Sequence, residues 1–377
     1  MLLLCAALLL AALSTGSALL LGMGLLLLLL YAVDRAAVLW TTKTFSASAE
    51  IAPKTVNRGE TARIRVTAGH RCPLPVPPVV LSVATAPGRE PEELSIPQHR
   101  GMRSYSLSFP AMHVGAVHPG ITSYAVRDPI TQRQHETVLP ETGDELLVLP
   151  RCFELTPLVF APSDPGLGSV ASATEDVSDP MDVRAWQRGD SMKKVHWKLS
   201  ARKRELMVRR FEEPTLPEAL VLLDCTPPET GGDSPEEART VLQDTLLETA
   251  ASIMNAQLHS ENEVRLPLWG DHPVELSIRM GMPLVLERLA RVRFDDRKPF
   301  ARQLQEAAQR TRRFGAAVVI TTRLDGHTTD LMVNLRRLGP TLRLYLVTET
   351  PDRADWQRLI GRLQEAGAEV ISVAPAV

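Results

Sequence analysis

The chain has 377 residues and a formal net charge of -2 at pH 7, and its length fits two or three domains. Its composition, 44% hydrophobic and 23% charged, is that of a globular protein with an additional apolar segment. The four cysteines, Cys5, Cys72, Cys152 and Cys225, stand far apart and form no C-x-x-C or Cys/His spacing. This pattern excludes a zinc knuckle and indicates inert thiols in a reducing compartment.

Residues 1–33 are dominated by Leu and Ala, and the first charged side chain is that of Asp34. A bilayer core needs about 20 apolar helical residues, so we predict one or more transmembrane segments within residues 1–40. Small and polar residues at 14–17 interrupt the run, which leaves one helix or a two-helix hairpin open. A cleaved signal peptide is the alternative. Such a peptide requires Lys or Arg before its apolar part, and neither residue occurs there.

Cations are concentrated on the C-terminal side of this apolar part. The first of them are Arg35, Lys43, Lys54, Arg58, Arg63, Arg65 and Arg71. By the positive-inside rule, we expect a protein of the cell membrane whose soluble domains lie on the cytoplasmic side.

Residues 41–150 carry a period of two. In the run TARIRV, Ala62, Ile64 and Val66 alternate with two arginines, which is typical of a half-buried strand. Proline and glycine separate several such runs, so we predict an all-β, sandwich-like domain. It is either an interaction module or a spacer, because a fold alone does not define a function. Residues 151–181, rich in Pro, Gly and Ser, are predicted to form a linker.

Residues 182–216, which we call the basic signature, hold ten cations between Arg184 and Arg210 in a chain that is slightly acidic overall. Such an excess favours contact with something anionic. We predict a helix capped by Asp190, with Met192, Val195 and Leu199 on its buried face. A strand from Leu206 to Phe211 should follow, ending before Pro214.

The order of residues in the basic signature is distinctive. The pattern R-x-W-x-x-G-D, then V-H-W-K-x-S-A-R, then E-L-M-V-R-x-F-E closely resembles the signature of the domain of unknown function 58 (DUF58) family. That family occurs in bacterial and archaeal membrane-associated proteins, and its biochemical activity is not established. The resemblance implies a partner, because members are typically paired with a MoxR-type AAA+ ATPase.

We divide the basic signature into two groups of residues. Partner docking is assigned to Arg184, Lys193, Lys194, His196, Lys198 and Arg202, and a structural role to Gly189, Asp190, Trp197 and Ser200. Arg184 and Arg202 are also expected to help hold turn, helix and strand together. His196 lacks a nearby nucleophile and base, so we interpret it as a structural or anion-contacting residue and not as a catalytic one.

Apolar strands and amphipathic helices alternate through residues 217–377. Strands are predicted at Ala219 to Leu223, Ala316 to Thr321, Leu342 to Thr348 and Glu369 to Val373. Continuous apolar strands separated by helices indicate a parallel, doubly wound, Rossmann-like sheet. The arrangement resembles a von Willebrand factor A domain.

That resemblance implies a possible site for Mg²⁺ after the first strand of the domain. Asp224, Thr226 and Asp325 are the candidate ligands, but Pro228 stands where the last hydroxyl ligand should be. A two-oxygen remnant cannot hold a hydrated divalent ion firmly, so we expect no tight metal site and no cofactor.

Two functions from different classes stay open. The first is a membrane-anchored adaptor or scaffold that docks a MoxR-type ATPase or its client. The alternative is a metal- or nucleotide-dependent sensor or enzyme that uses the C-terminal edge of the α/β sheet. No P-loop, zinc-protease helix or nucleophile elbow occurs, so the sequence names no reaction. Nucleic-acid binding is not expected, because only Trp186 and Trp197 accompany the cations.

Overall fold

A computed structural model of the chain describes residues 2–73, 78–86, 89–97, 101–128, 134–139, 143–156, 158, 160, 182–187, 192, 195–210, 218–229, 235–258, 263–269, 273–295, 299–310 and 314–375. The chain divides into two compact units, Met1–Pro150 and Arg151–Val377. Each unit is described by itself.

The first unit begins with two apolar helices, α1 (Leu2–Thr15) and α2 (Ala18–Thr44). They contact each other across a turn at Gly16, whose φ of +66 favours glycine. Gly24 allows close packing, since a Cβ there would lie 3.0 Å from Leu9 Cδ2. Helix α2 is the one described helix long and apolar enough to cross a membrane. The break at 14–17 is therefore a turn between two helices.

Ten strands follow in the described residues of the first unit. They form three sheets with the orders β1-β3-β6, β2-β10-β7 and β5-β4-β8-β9. The strands are β1 (Ser46–Ile51), β2 (Thr55–Asn57), β3 (Thr61–His70), β4 (Val79–Ala84), β5 (Glu92–Ile96), β6 (Gly101–Pro110), β7 (Gly115–Val117), β8 (Gly120–Arg127), β9 (Gln134–Val138) and β10 (Leu146–Leu149). The predicted alternation is confirmed in β3, where Ala62, Ile64 and Val66 are buried and the arginines between them are exposed. These strands enclose one apolar core.

The C-terminal end of α2 belongs to this core. Ala37 and Val38 are 2% exposed and Thr41 is fully buried. The Tyr124 hydroxyl donates to the Thr42 carbonyl at 3.1 Å, and its ring lies 4.5 Å from that of Phe45. Strand β1 starts two residues after the helix ends, so no flexible linker separates the apolar helix from the β domain.

The second unit begins with residues 151–156, which the sequence assigns to a linker. Arg151 Nε donates to Glu248 Oε1 at 2.9 Å, and the Phe153 amide donates to Ser252 Oγ at 2.9 Å. Arg343 Nη1 donates to the Thr156 carbonyl at 2.8 Å. This stretch is therefore fastened to the α/β domain. The predicted linker residues 161–181 lie outside the described residues.

The basic signature forms β11 (Asp182–Ala185), α3 (Trp197–Lys203) and β12 (Met207–Arg210). Strands β11 and β12 pair antiparallel. The predicted strand is confirmed, but the predicted start of the helix is wrong. Val195 lies in a β-bridge with Val208, so the helix begins only at Trp197. Of the apolar residues before it, Val195 is buried against β12, whereas Met192 is exposed.

The α/β domain holds six strands in the order β15-β14-β13-β16-β17-β18. All neighbouring pairs are parallel except β14 and β15. The strands are β13 (Glu218–Leu223), β14 (Val264–Leu268), β15 (Val274–Ser277), β16 (Phe314–Thr321), β17 (Thr341–Val347) and β18 (Glu369–Val373). The helices are α4 (Pro235–Ala256), α5 (Met282–Ala290), α6 (Phe300–Arg310), α7 (Gly326–Arg337) and α8 (Ala354–Glu365).

Alternate residues of the central strands pack against α6, α7 and α8 through one apolar cluster. The other residues of these strands are also buried, and α4 contacts β13, β16 and β17. After β13 the chain goes first to β14 on one side, and later to β16 on the other. Between β13 and β16 lies the switch point of the sheet, and the carboxyl ends of strands at such a point form a crevice that suits ligands.

Candidate functional site

In the basic signature, His196 is the N-cap of α3. Its Nδ1 accepts a hydrogen bond from the Leu199 amide at 3.2 Å. A ring nitrogen that accepts a hydrogen bond carries no proton. The histidine Nδ1 therefore takes the place of the side-chain oxygen with which Ser, Thr, Asp or Asn usually caps a helix. The cap position that the sequence gives to Asp190 is therefore filled by His196 for this helix. Asp190 itself lies outside the described residues.

Ser200 joins the helix to strand β12. It is 7% exposed, and its Oγ donates to the His196 carbonyl at 2.9 Å while accepting from the Met207 amide at 2.8 Å. The His196 amide in turn donates to the Met207 carbonyl at 2.8 Å. These bonds give a physical basis for the structural role that we predict for Ser200.

Trp197 points away from this packed side. It is 61% exposed, so burial of its ring does not account for the structural role that we predict for Trp197. Two further apolar side chains of the same region, Met192 and Leu206, are 53% and 38% exposed. Among the described side chains of the basic signature, the exposed cations are Lys198, Arg202, Lys203 and Arg204. The surface thus combines an aromatic side chain with positive charge.

Not every predicted residue of the basic signature is placed. Gly189, Lys193 and Lys194 lie outside the described residues. The backbone of Arg184 pairs with Val208 in the β11–β12 ribbon, but its side chain lies outside the described part. The docking role of these residues stays a prediction.

At the switch point, the carboxylate of Asp224 is buried and accepts three hydrogen bonds. Oδ1 accepts from the amide of Thr226 at 3.1 Å and from its hydroxyl at 2.6 Å, and Oδ2 accepts from Thr321 Oγ1 at 2.7 Å. Asp224 therefore holds the loop after β13 to the end of β16.

Asp325 has a different task. Its Oδ1 accepts from the Thr328 amide at 2.7 Å and completes a capping box at the start of α7. This arrangement does not fit a Mg²⁺ site, because Asp224 and Thr226 bond each other and Asp325 caps a helix. Among the described residues, no group of three or more His, Cys, Asp or Glu side chains could hold a metal ion. The absence of tight Mg²⁺ binding stays a prediction.

An open cleft of about 490 Å³ lies at the carboxyl ends of β16 and β17. On one wall, Arg323 donates to Glu229 Oε1 at 3.0 Å and to the Pro227 carbonyl. On the other, the guanidinium of Arg353 stands 4.6 Å from the ring centroid of Trp356. Sequence reasoning missed these residues, although their position just after predicted strands was the available signal.

The fold and the site together define an α/β domain preceded by a basic helix-and-ribbon segment. Residues 182–357 match the family model described as "Protein of unknown function DUF58", which covers the basic signature and the sheet as far as α8. The predicted family resemblance is thus confirmed for this part of the chain. No curated protein matches the chain.

Two solved structures show a weak likeness. One is the CARDB domain of the PF1109 protein from Pyrococcus furiosus in complex with di-metal ions, at 15% identity and a TM-score of 0.19, covering 28% of this chain and 90% of that domain. The other is Cwp6 from Clostridium difficile, at 8% identity and a TM-score of 0.19, covering 87% of this chain and 37% of that one. Neither score supports a structural argument.

Proposed function

We propose that this protein is a membrane-anchored adaptor whose basic signature docks an acidic protein partner. The partner class is a MoxR-type AAA+ ATPase or its client, as the family resemblance implies. The observation that carries the proposal is Trp197, which is 61% exposed within a cationic segment. A large aromatic side chain on a soluble surface suits a protein contact better than solvent.

The geometry around Trp197 supports a built surface. His196 caps α3 and Ser200 ties it to β12, so the exposed helix face is held on a fixed backbone. Lys198 and Arg202 are exposed one helical turn apart. Tryptophan and arginine dominate energetic hot spots at interfaces, and surrounding cations speed the encounter with an acidic surface.

The anchor in this proposal is the pair α1 and α2, and the soluble domains face the cytoplasm. The long apolar helix and the cations after Asp34 support this placement. The C-terminal domain is, in this proposal, von Willebrand factor A-like and Rossmann-like. Its strand order, with β13 between β14 and β16, supports that interpretation.

The cleft at the carboxyl ends of β16 and β17 supports a second candidate, a ligand-dependent sensor. Arg323 and Arg353 stand on loops that follow adjacent strands, and a threonine of each loop, Thr322 and Thr348, also lines the cleft. Two guanidinium groups suit a carboxylate or phosphate ligand. Glu229, Asp325 and Glu349 line the same cleft and offset this charge, so the adaptor is the better supported function.

Affinity purification of the tagged full-length chain from membranes tests the proposal. The adaptor predicts that an AAA+ ATPase, or a protein that such an ATPase acts on, co-purifies and is lost at high salt. The variant Trp197→Ala should lose this partner, whereas Leu338→Ala, which removes an apolar side chain of 53% exposure from α7's C-cap, should keep it. A co-purifying nucleotide without a protein would favour the sensor instead.

A further inference from the structure

Helix α2 changes its surroundings along its length while staying one helix. From Leu19 to Val33 most of its apolar side chains are exposed, whereas Ala37, Val38 and Thr41 are buried against the β domain. The side chains at the change are Asp34 and Arg35. Arg35 Nη1 lies 3.3 Å from His135 Nε2, and Asp34 interacts with Asp128, so both side chains turn toward the β domain.

The opposite side of the same helical turns is not covered. Leu39 is 54% exposed, Trp40 is 48% exposed, and Ala36 and Lys43 are also exposed. We call these four residues the interfacial face. Their spacing of three, four and seven places them on one side of the helix, and the side continues the exposed apolar stripe that ends at Val33.

This order of residues matches a membrane boundary. Trp40 lies about 10 Å beyond Val33 along the helix axis, and the headgroup zone extends about 5–8 Å beyond the hydrocarbon on each side. A modest tilt toward this face brings Leu39 and Trp40 into the boundary zone and Lys43 among the headgroups. Tryptophan prefers that zone, and lysine is attracted to anionic lipids.

Resting on the proposed membrane anchoring, we infer that the interfacial face of α2 lies on the bilayer surface and contacts the headgroups of anionic phospholipids. The β domain is attached to the opposite face of the helix through Ala37, Val38 and Thr41, so it does not hinder this contact. The helix then crosses tilted, and the β domain is held at the membrane surface in a fixed orientation.

Quenching by brominated lipids tests this inference on the full-length chain in vesicles of phosphatidylcholine and phosphatidylglycerol. Bromines near the headgroup should quench part of the tryptophan emission, and Trp40→Phe should remove most of that quenchable part. Trp269→Phe, which removes a half-buried tryptophan outside the basic signature and the cleft, is the matched control and should leave it. Lys43→Glu should reduce the quenching when phosphatidylglycerol is present and change it little in phosphatidylcholine alone.

A second reporter separates failure of the anchor from failure of this inference. Leu25→Trp in the Trp40→Phe background should be quenched by bromines near the chain ends. If this reporter is not quenched, the helix is not inserted and both claims fall. If it is quenched but Trp40 is not, the anchor stands and the inference is overturned. If neither brominated lipid nor aqueous iodide quenches Trp40, the inference is overturned, and a contact between Trp40 and a second copy of the chain is favoured instead.

Discussion

Ser200 and Met207 are joined by a hydrogen bond of 2.8 Å in which the Met207 amide donates to the serine hydroxyl. Both residues are buried, at 7% and 5% exposure. A helix residue thus satisfies a buried strand amide, and α3 and β12 behave as one piece.

Replacing Ser200 with Ala should loosen this piece. A buried amide without an acceptor costs about 1–3 kcal/mol, which corresponds to local opening that is about 5- to 150-fold more frequent. Hydrogen exchange followed by mass spectrometry should show faster exchange in 196–210 and unchanged exchange in β16 and β17. Lys203→Ala, in the same helix but exposed, is the control. Equal exchange in both variants would refute a structural role for Ser200.

Asp224 should act as a structural residue. Asp224→Ala removes the carboxylate acceptor of the buried Thr321 hydroxyl and leaves it the Arg323 carbonyl at 3.2 Å. Hydrogen bonds to charged groups contribute about 1.5–3 kcal/mol each. We expect the α/β domain to unfold at lower urea, with a loss of about 3 kcal/mol. Asp325→Ala removes only an exposed cap and should cost about 1 kcal/mol. The reverse order of the two losses would contradict this account.

Calorimetric titration of the full-length protein with Mg²⁺ should show no tight binding, because the Asp224 carboxylate is already used by Thr226 and Thr321. The same result is expected for Mn²⁺. Micromolar binding that disappears in Asp224→Ala would overturn this prediction and favour the sensor.

The stability of the β domain should fall in mild acid because of His70. Burial lowers the pKa of His70 below its ordinary value of 6.5, and its Nδ1 is buried without a hydrogen-bond partner. The unfolded chain therefore binds a proton at a pH where the folded chain does not. The contribution of neutral His70 to the stability of the folded domain is present above pH 6.5 and is lost as the pH falls below this value.

Urea unfolding of the first unit between neutral pH and mild acid measures this effect. His70→Gln removes the titrating group, so its stability should depend less on pH. His113→Gln, which replaces a histidine in the loop between β6 and β7, serves as the control. An unchanged pH slope in His70→Gln would exclude His70 as the cause.

The end of α2 should be required for the β domain to fold. A chain that begins at Asp34 keeps Ala37, Val38 and Thr41 in the core, whereas one that begins at Ser46 exposes the apolar surface beneath them. Losing this burial costs about 2–4 kcal/mol at 25 cal/mol per Å². Urea midpoints of the two chains compare them directly. Equal midpoints would show that the helix end does not support the domain.

The sequence predicted the central strands of the α/β domain well. Strands β13, β16 and β17 are largely apolar because they are buried on both faces. Each predicted run, including that of the edge strand β18, overlaps its strand. The hairpin of β14 and β15 was missed, because Pro267 interrupts one strand and charged residues occupy both. Such residues are tolerated because β15 is the edge strand and Pro267 lies beyond the part of β14 that pairs with β13.

The candidate site was harder to predict for two physical reasons. The start of α3 was misplaced because histidine is not among the residues that usually cap helices, so the spacing of Met192 and Val195 favoured an earlier start. The surroundings of Asp224 and the cleft depend on contacts between residues about a hundred positions apart, such as Asp224 with Thr321. Local patterns carry no information on such contacts.

The central claim is that the exposed face around Trp197 docks an acidic partner. The most direct test is the dissociation constant of the co-purified partner with full-length variants. Trp197→Ala should weaken binding about 30-fold, as expected for a hot-spot residue. Lys198→Glu with Arg202→Glu should weaken it as strongly and reduce its dependence on salt.

Leu338→Ala and Arg239→Glu change an exposed apolar residue and an exposed cation of the α/β domain, and should leave the dissociation constant within about two-fold of the unchanged chain. Hydrogen exchange of 196–210 should be the same in Trp197→Ala as in the unchanged chain, because Trp197 is exposed. The claim would be contradicted if the Trp197 variant and the Lys198/Arg202 variant had the same dissociation constant as these controls.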